Sequence, residues 1–202
     1  MKKIFLILIL LGSLFALEQK ENHFKLRLAN PLNYPYLIKK YGYRRTVKIV
    51  KERRERLQKI SMNEFELLKK TYYNGSKINL GLTLAAILWQ ESDINRIKIN
   101  FNDPSCGAFH KWLPGFARQL GISRTVHNYN NLCSKLVNFN YSLYIALNDL
   151  NNLKEQVKIK NKNLKWRTIV GKYNGSKAYS SYVDFIRLNI FYLRQIENFL
   201  KN

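Results

Sequence analysis

The stretch LTLAAILWQESD, residues 82–93, decides how this chain is read. At ~100° per residue, Leu80, Leu84, Ile87, Leu88 and Glu91 fall on one stripe of a helix, with Glu91 within ~20° of the direction of Leu84. The other side carries Leu82, Ala85, Ala86 and Trp89. A helix that is apolar nearly all round is a buried helix. The stretch therefore predicts one carboxylate aimed into a core or a cleft, where an unpaired charge is costly. Asp93, two residues on, turns to the opposite face of the same helix.

Around that segment the chain reads as all-α. Residues 44–60, RRTVKIVKERRERLQKI, predict a strongly basic helix with some opposed charges. Such a run is read first as a solvated face and second as a contact for an anionic surface. Ser61 and Glu64 form a capping box for a helix running to about Tyr73, with Gly75 as its stop. Asn79 is the expected N-cap of the helix that carries Glu91. Residues 95–107 read as loop, with Asp103–Pro104 as a turn signal. Further helices are expected over 109–120, 131–138, 141–157, 166–173 and 178–200. No period-2 alternation predicts a strand. Residues 17–43, with Pro31 and Pro35, read as an irregular arm. The pentapeptide YNGSK occurs at 73–77 and again at 173–177, but its flanks do not repeat, which argues against an internal duplication.

The first 16 residues, MKKIFLILILLGSLFA, place two lysines before an apolar run and end on a small residue. That is the pattern of a secretory leader. The run is short for a membrane span, and no cysteine follows it to support a lipid anchor. The expected location is the periplasm or cell envelope. Removal of the leader leaves about 186 residues, enough for one domain with a sizeable core. The 202-residue chain holds 35 Lys and Arg against 13 Asp and Glu, a net charge of +22. In a cytosolic protein that charge would read as nucleic-acid binding. In an exported one it points to cell-wall polymers, acidic peptide stems or lipid headgroups, and nucleic acid is the weakest of these readings. Cys106 and Cys133 make an even count, compatible with one disulfide or with two separate thiols. The three histidines, His23, His110 and His127, are scattered, and no spacing suits zinc.

Three ordered segments resemble the soluble lytic transglycosylases, the goose-type-lysozyme-like enzymes that cut bacterial cell-wall glycan. The first is AAILWQES, whose Glu91-Ser92 matches the family's helix-ending Glu-Ser. The second is SCGAFHKWLPGFARQLG, where Gly107-Ala108-Phe109-His110 matches a Gly-Leu-Met-Gln segment. The third is IVGKYNGSKAYSSYVDFI, where Tyr173-Asn174 matches a Tyr-Asn before a Gly-containing turn and Tyr182-Val183 matches the Tyr-Val that opens the last helix. Together they cover about residues 79–191, a little over half the chain. His110 departs from the family's Gln, and the spacing from His110 to Pro114 is one residue longer than usual.

The resemblance implies a lysozyme-like helical domain over 73–202; the basic N-terminal arm and helices over 17–72 that precede it have no counterpart in the family. It implies peptidoglycan strands as substrate, no cofactor, and Glu91 as the catalytic acid. Breaking a glycosidic bond needs a proton on the leaving oxygen, and burial keeps a carboxyl protonated near neutral pH. The family's route needs no second carboxylate. As the resemblance implies, Glu91 protonates the bond between N-acetylmuramic acid and N-acetylglucosamine, the substrate's N-acetyl group supports the positive centre, and Glu91 then takes the proton of the C6 hydroxyl, which closes onto C1 as a 1,6-anhydro end. A hydrolase would need a second carboxylate, for which Asp103 is the nearest in sequence. A non-catalytic exported glycan-binding protein is the remaining alternative, and intact Glu91 argues against it. The resemblance further implies substrate contacts for Ser92, Gly107, Ala108, Phe109, His110, Tyr173 and Asn174. Ser92 reads equally as a capping hydroxyl and Gly107 as a plain turn residue. Tyr173 is a candidate to hydrogen-bond Glu91, and Trp112, Trp166 and Tyr179 are candidates to stack on sugars. Small size and the lack of a recognised wall-anchoring module suggest, by analogy, local wall clearance for an assembly such as a secretion or conjugation apparatus.

Overall fold

A computed structural model describes residues 24–100, 102–160 and 166–202, and backbone alone for 158–160. Residues 1–23, which hold the expected leader, the start of the expected arm and His23, lie outside the described residues. The fold is all-α, as expected. A 3₁₀ turn at Pro31–Asn33 leads into helices α1 (Pro35–Tyr41), α2 (Tyr43–Gln58), α3 (Met62–Ser76) and α4 (Gly81–Ser92). Three short strands follow: β1 (Ile99–Asn100), β2 (Ser105–Cys106) and β3 (Lys111–Trp112). Then come α5 (Leu113–Gln119), α6 (Val126–Leu136), α7 (Phe139–Lys160), α8 (Trp166–Tyr173), α9 (Ser181–Gln195) and α10 (Glu197–Lys201).

Helix α4 is the centre of the molecule because its sequence leaves it no solvent face. Leu84 to Trp89 are all fully buried. It packs against α3 on one side and α9 on the other, and Asn189 on α9 donates a 3.1 Å bond to the Ala86 carbonyl. Full burial of side chains such as Leu84, Ile87 and Leu88 contributes about 1.5–3 kcal/mol each. The α3–α4 contact is close because two glycines meet there. A Cβ on Gly75 would lie 3.0 Å from the Gly81 Cα, and one on Gly81 would lie 2.9 Å from the Tyr72 carbonyl oxygen. Gly75 is therefore a packing residue within α3, and the expected helix stop there is corrected: α3 runs on to Ser76. Asn79 is likewise not the N-cap of α4. It takes a left-handed turn, φ 58°, and Leu80 stands at the cap without a side-chain bond. Asn tolerates that conformation better than most residues. The Ser61–Glu64 capping box forms as read.

The arm is less irregular than its prolines suggested. Pro35 starts α1 at a position where a missing N–H costs nothing. The arm then joins the core that runs from Leu26 to Leu200. Asp184 on α9, fully buried, accepts from the Tyr36 N–H at 2.8 Å and from Arg187 at 3.1 Å. The Tyr192 hydroxyl donates to the Val50 carbonyl at 2.8 Å. Part of the basic helix also faces inward: Arg56 binds Glu64 and Asp93 together, the latter at 2.9 Å.

The strands were not foreseen. They form an antiparallel sheet in the order β1-β2-β3, with Ile99 opposite Cys106 and Cys106 opposite Lys111. Two residues per strand are too few for alternation to register. The same hairpin takes up residues 109–112, so the expected helix over 109–120 shortens to α5. Helix α6 starts earlier than expected, at Val126, because Thr125 caps it through the Asn128 N–H. The last expected helix breaks at Ile196 into α9 and α10. Cys106 and Cys133 are joined, Cα to Cα 5.4 Å, which ties β2 to α6. A second small core, with Leu113, Phe116, Leu132 and Leu136, fills the space around that bridge. The two YNGSK copies differ in structure, as coincidence requires. Tyr73–Ser76 lie in the last turn of α3, whereas Gly175 makes a turn at φ 69° after α8.

Candidate active site

Glu91 occupies the last turn of α4, and the chain reverses immediately after it. Asp93, Ile94 and Asn95 take positive φ values of 49°, 62° and 67° in succession. A β-branched residue such as Ile94 is rarely found there, and strained backbone of this kind clusters at functional sites. Ser92 holds the reversal. Its buried hydroxyl donates to the Leu88 carbonyl at 3.2 Å and accepts from the Asn95 N–H at 2.8 Å. Ser92 thus staples the helix end and does not face the cleft. Asp93 pairs with Arg56 and Arg96 and is not among the residues that line the cleft of Glu91.

The Glu91 side chain is 13% exposed and opens into a cleft of about 630 Å³. The cleft lies between the β-hairpin, α7 and the turn after α8, with Asn100, Phe109, Trp112, Asn152, Tyr173 and Asn174 on its walls. Burial raises the Glu91 pKa to about 7; the Tyr182 hydrogen bond opposes the rise and the Asp103 charge adds to it. The carbonyl end of α4 works in the same direction, because a helix C-terminus disfavours negative charge. A larger cavity of about 710 Å³ surrounds Leu80–Thr83 at the other end of α4, about 15 Å away along the axis. Its acid, Glu197, has its pKa lowered by the Tyr72 hydroxyl. The chemistry therefore points to the smaller cleft.

The structure gathers some of the expected residues and disperses others. Phe109 is buried and lines the cleft beside Glu91. His110 places Nδ1 3.8 Å from Glu91 Oε2, while Nε2 lies 2.9 Å from the Ile97 carbonyl oxygen. Asn174 is exposed on the wall, and Trp112, 51% exposed, lines the cleft. Ala108 is fully buried and contributes packing only. Gly107 is a turn residue at φ 87°; a Cβ there would lie 2.6 Å from the Leu136 carbonyl oxygen, so it approaches α6 and not the cleft. Trp166 lines the other cavity and donates to Thr83 Oγ1 at 2.9 Å. Tyr179 lies outside the cleft lining, against Tyr36 and Arg167.

Tyr173 lines the cleft, and burial followed by the Glu91 charge holds its hydroxyl protonated. The hydroxyl that bonds Glu91 belongs instead to Tyr182, whose Oη donates to Oε1 at 2.6 Å. The sequence reading named Tyr182 only in the Tyr182-Val183 match and gave its hydroxyl no partner, because Glu91 lies 91 residues away. That match in the third motif was the available signal. Sequence reading also missed Asp149 and Lys111, an ion pair of 2.6 Å on the cleft wall. Among the described residues the cleft therefore holds two further carboxylates, one exposed at Asp103 and one neutralised at Asp149.

The arrangement can deliver a proton near neutral pH from one oriented carboxyl group to an oxygen in an open, polar groove. Comparison with family models, curated proteins and solved structures gives no match for the chain.

Proposed function

We propose that the chain is an exported peptidoglycan lytic transglycosylase that cleaves the β-1,4 bond between N-acetylmuramic acid and N-acetylglucosamine and leaves 1,6-anhydromuramic ends. The observation that carries this reading is Glu91: largely buried, its pKa raised to about 7, held at one oxygen by Tyr182, and lining a cleft. The three ordered motifs add the substrate class by resemblance.

In this reading Glu91 Oε2 gives its proton to the leaving oxygen. Oε1 is occupied by Tyr182, which fixes the rotation of the carboxyl group and leaves one oxygen for transfer. As the glycosidic bond breaks, the substrate's N-acetyl group supports C1, and the C6 hydroxyl attacks it. Attack within the bound sugar gains from proximity. The cleft wall of Asn100, Asn152 and Asn174 suits hydroxyl and N-acetyl groups, and Trp112 suits a ring face.

A hydrolytic reading is kept by one observation, that Asp103 borders the same cleft and acts electrostatically on Glu91. The products separate the two. Digestion of purified cell wall should give anhydro ends with wild-type protein and nothing with Glu91→Gln.

A further inference from the structure

His110 is the residue at which the second motif departs from the family it resembles, and its geometry is unusually determined. Its backbone is left-handed, φ 42°, at the close of the Gly107–His110 turn, where His110 N–H donates to the Gly107 carbonyl at 3.1 Å. That turn directs the imidazole toward the end of α4. The ring then meets the Ile97 carbonyl, which the left-handed reversal after Glu91 delivers at 2.9 Å from Nε2. A carbonyl oxygen only accepts, so Nε2 carries the hydrogen and the neutral ring's lone pair is on Nδ1. Nδ1 faces Glu91 Oε2 at 3.8 Å. That separation is too long for a direct bond, but one oxygen atom fits at ~2.8 Å from both atoms. Oε2 is also the oxygen that Tyr182 leaves free.

We infer that His110 is the base of the site: Nδ1 takes the proton of the attacking hydroxyl, a role the resemblance assigns to Glu91, and Glu91 serves here as the acid alone. This rests on the glycan-cleaving reading. In the first half of the reaction the Oε2–H bond breaks, the proton goes to the leaving oxygen, and the bond from that oxygen to C1 breaks. In the second half the C6 hydroxyl forms its bond to C1, its O–H bond breaks, and the proton goes to Nδ1. The imidazolium then returns this proton to Oε2, and both groups regain their starting states. No net proton or electron is consumed.

The electrostatics favour this order. Burial favours the neutral form of both groups, raising the pKa of Glu91 and lowering that of His110. Once Glu91 has lost its proton, its negative charge lies 3.8 Å from Nδ1 and favours an imidazolium there. The base thus strengthens after the acid has acted. The other groups facing the pair do not reverse this. Asp103, on the hairpin, favours the protonated form of both. Lys111 and Asp149 neutralise each other across the cleft. Lys172 and Tyr173 line the α8 side, and Tyr182 bonds only Oε1.

The test is the pH–rate profile of cell-wall cleavage for wild type, His110→Gln and His110→Phe, with ¹⁵N NMR titration of the imidazole in wild type and Glu91→Gln. Loss of a general base lowers kcat by about 10²-fold or more. The acidic limb of the profile, where His110 is protonated, should vanish in His110→Gln. In the NMR titration, wild-type His110 should show two inflections, one of them absent in Glu91→Gln. Activity of His110→Gln within about 3-fold of wild type, or an unchanged acidic limb, overturns the assignment while leaving the glycan reading intact. A His110 titration that Glu91→Gln does not alter overturns it even if the His110 variants fold poorly. A wild-type protein that cleaves no wall overturns the glycan reading, and the base role falls with it.

Discussion

The Tyr182 hydroxyl donates a 2.6 Å hydrogen bond to Glu91 Oε1 and so joins the first turn of α9 to the last turn of α4. The bond stabilises the charged form of Glu91 and works against the larger effect of burial. Tyr182→Phe should therefore raise the Glu91 pKa further and move the alkaline limb of the rate profile to higher pH. It should also lower kcat by about 10-fold, because the carboxyl group loses its anchor. Measured profiles with an unmoved alkaline limb would show that the bond does not act on the acid.

Glu91→Gln should reduce wall cleavage at least about 10²-fold, since it keeps the shape and removes the transferable proton. It should also stabilise the fold at alkaline pH. The carboxyl titrates near 4.5 when unfolded and near 7 when folded. Below pH 4.5 both states are protonated and burial of the group carries no ionic cost. Between those values the unfolded state loses its proton first, so stability falls as pH rises. Above 7 the full cost, about 3 kcal/mol, is present in wild type and absent in the variant. Thermal unfolding should place Glu91→Gln above wild type at pH 8 and level with it near pH 4. Parallel curves would contradict the raised pKa.

The Cys106–Cys133 bridge closes a loop with a sequence separation of 27 and ties the hairpin to α6. In the chain-entropy model such a loop contributes about 3–4 kcal/mol. The double variant Cys106→Ser, Cys133→Ser should lose stability of that order in denaturant unfolding. Thiol labelling of the unreduced, denatured protein should find no free thiol, and two reactive thiols would refute the bridge.

The Asp103 side chain is exposed on the cleft rim and accepts from Ser105 Oγ. Asp103→Asn should change kcat less than about 5-fold, well short of the loss of a catalytic base. An inactive Asp103→Asn would make water the acceptor and Asp103 its activator.

Much of this architecture was legible because it is written in long apolar periods. The all-round apolar face of residues 82–89 predicts the buried α4, and the capping box at Ser61 and Glu64 fixes the start of α3. Glu91 is legible for the same reason, as the polar end of an apolar stripe. What the sequence hid depends on long-range placement. The hairpin strands span two residues each, too short for a period. Gly75 reads as a stop, yet it is a contact, because only its meeting with Gly81 reveals the need for a missing side chain. Tyr182, 91 residues from Glu91, reads as an apolar position until the fold brings its hydroxyl to the carboxylate. His110 was visible as a departure from a motif, but its facing of Glu91 follows from two left-handed backbone turns that no residue pattern announces.

The most direct measurement is mass spectrometry of the ends produced when the purified protein digests cell wall. The two candidate reactions differ by one water. Muramic ends in the 1,6-anhydro form, absent from a Glu91→Gln digest, are the predicted result. Reducing ends from the wild-type protein would contradict it.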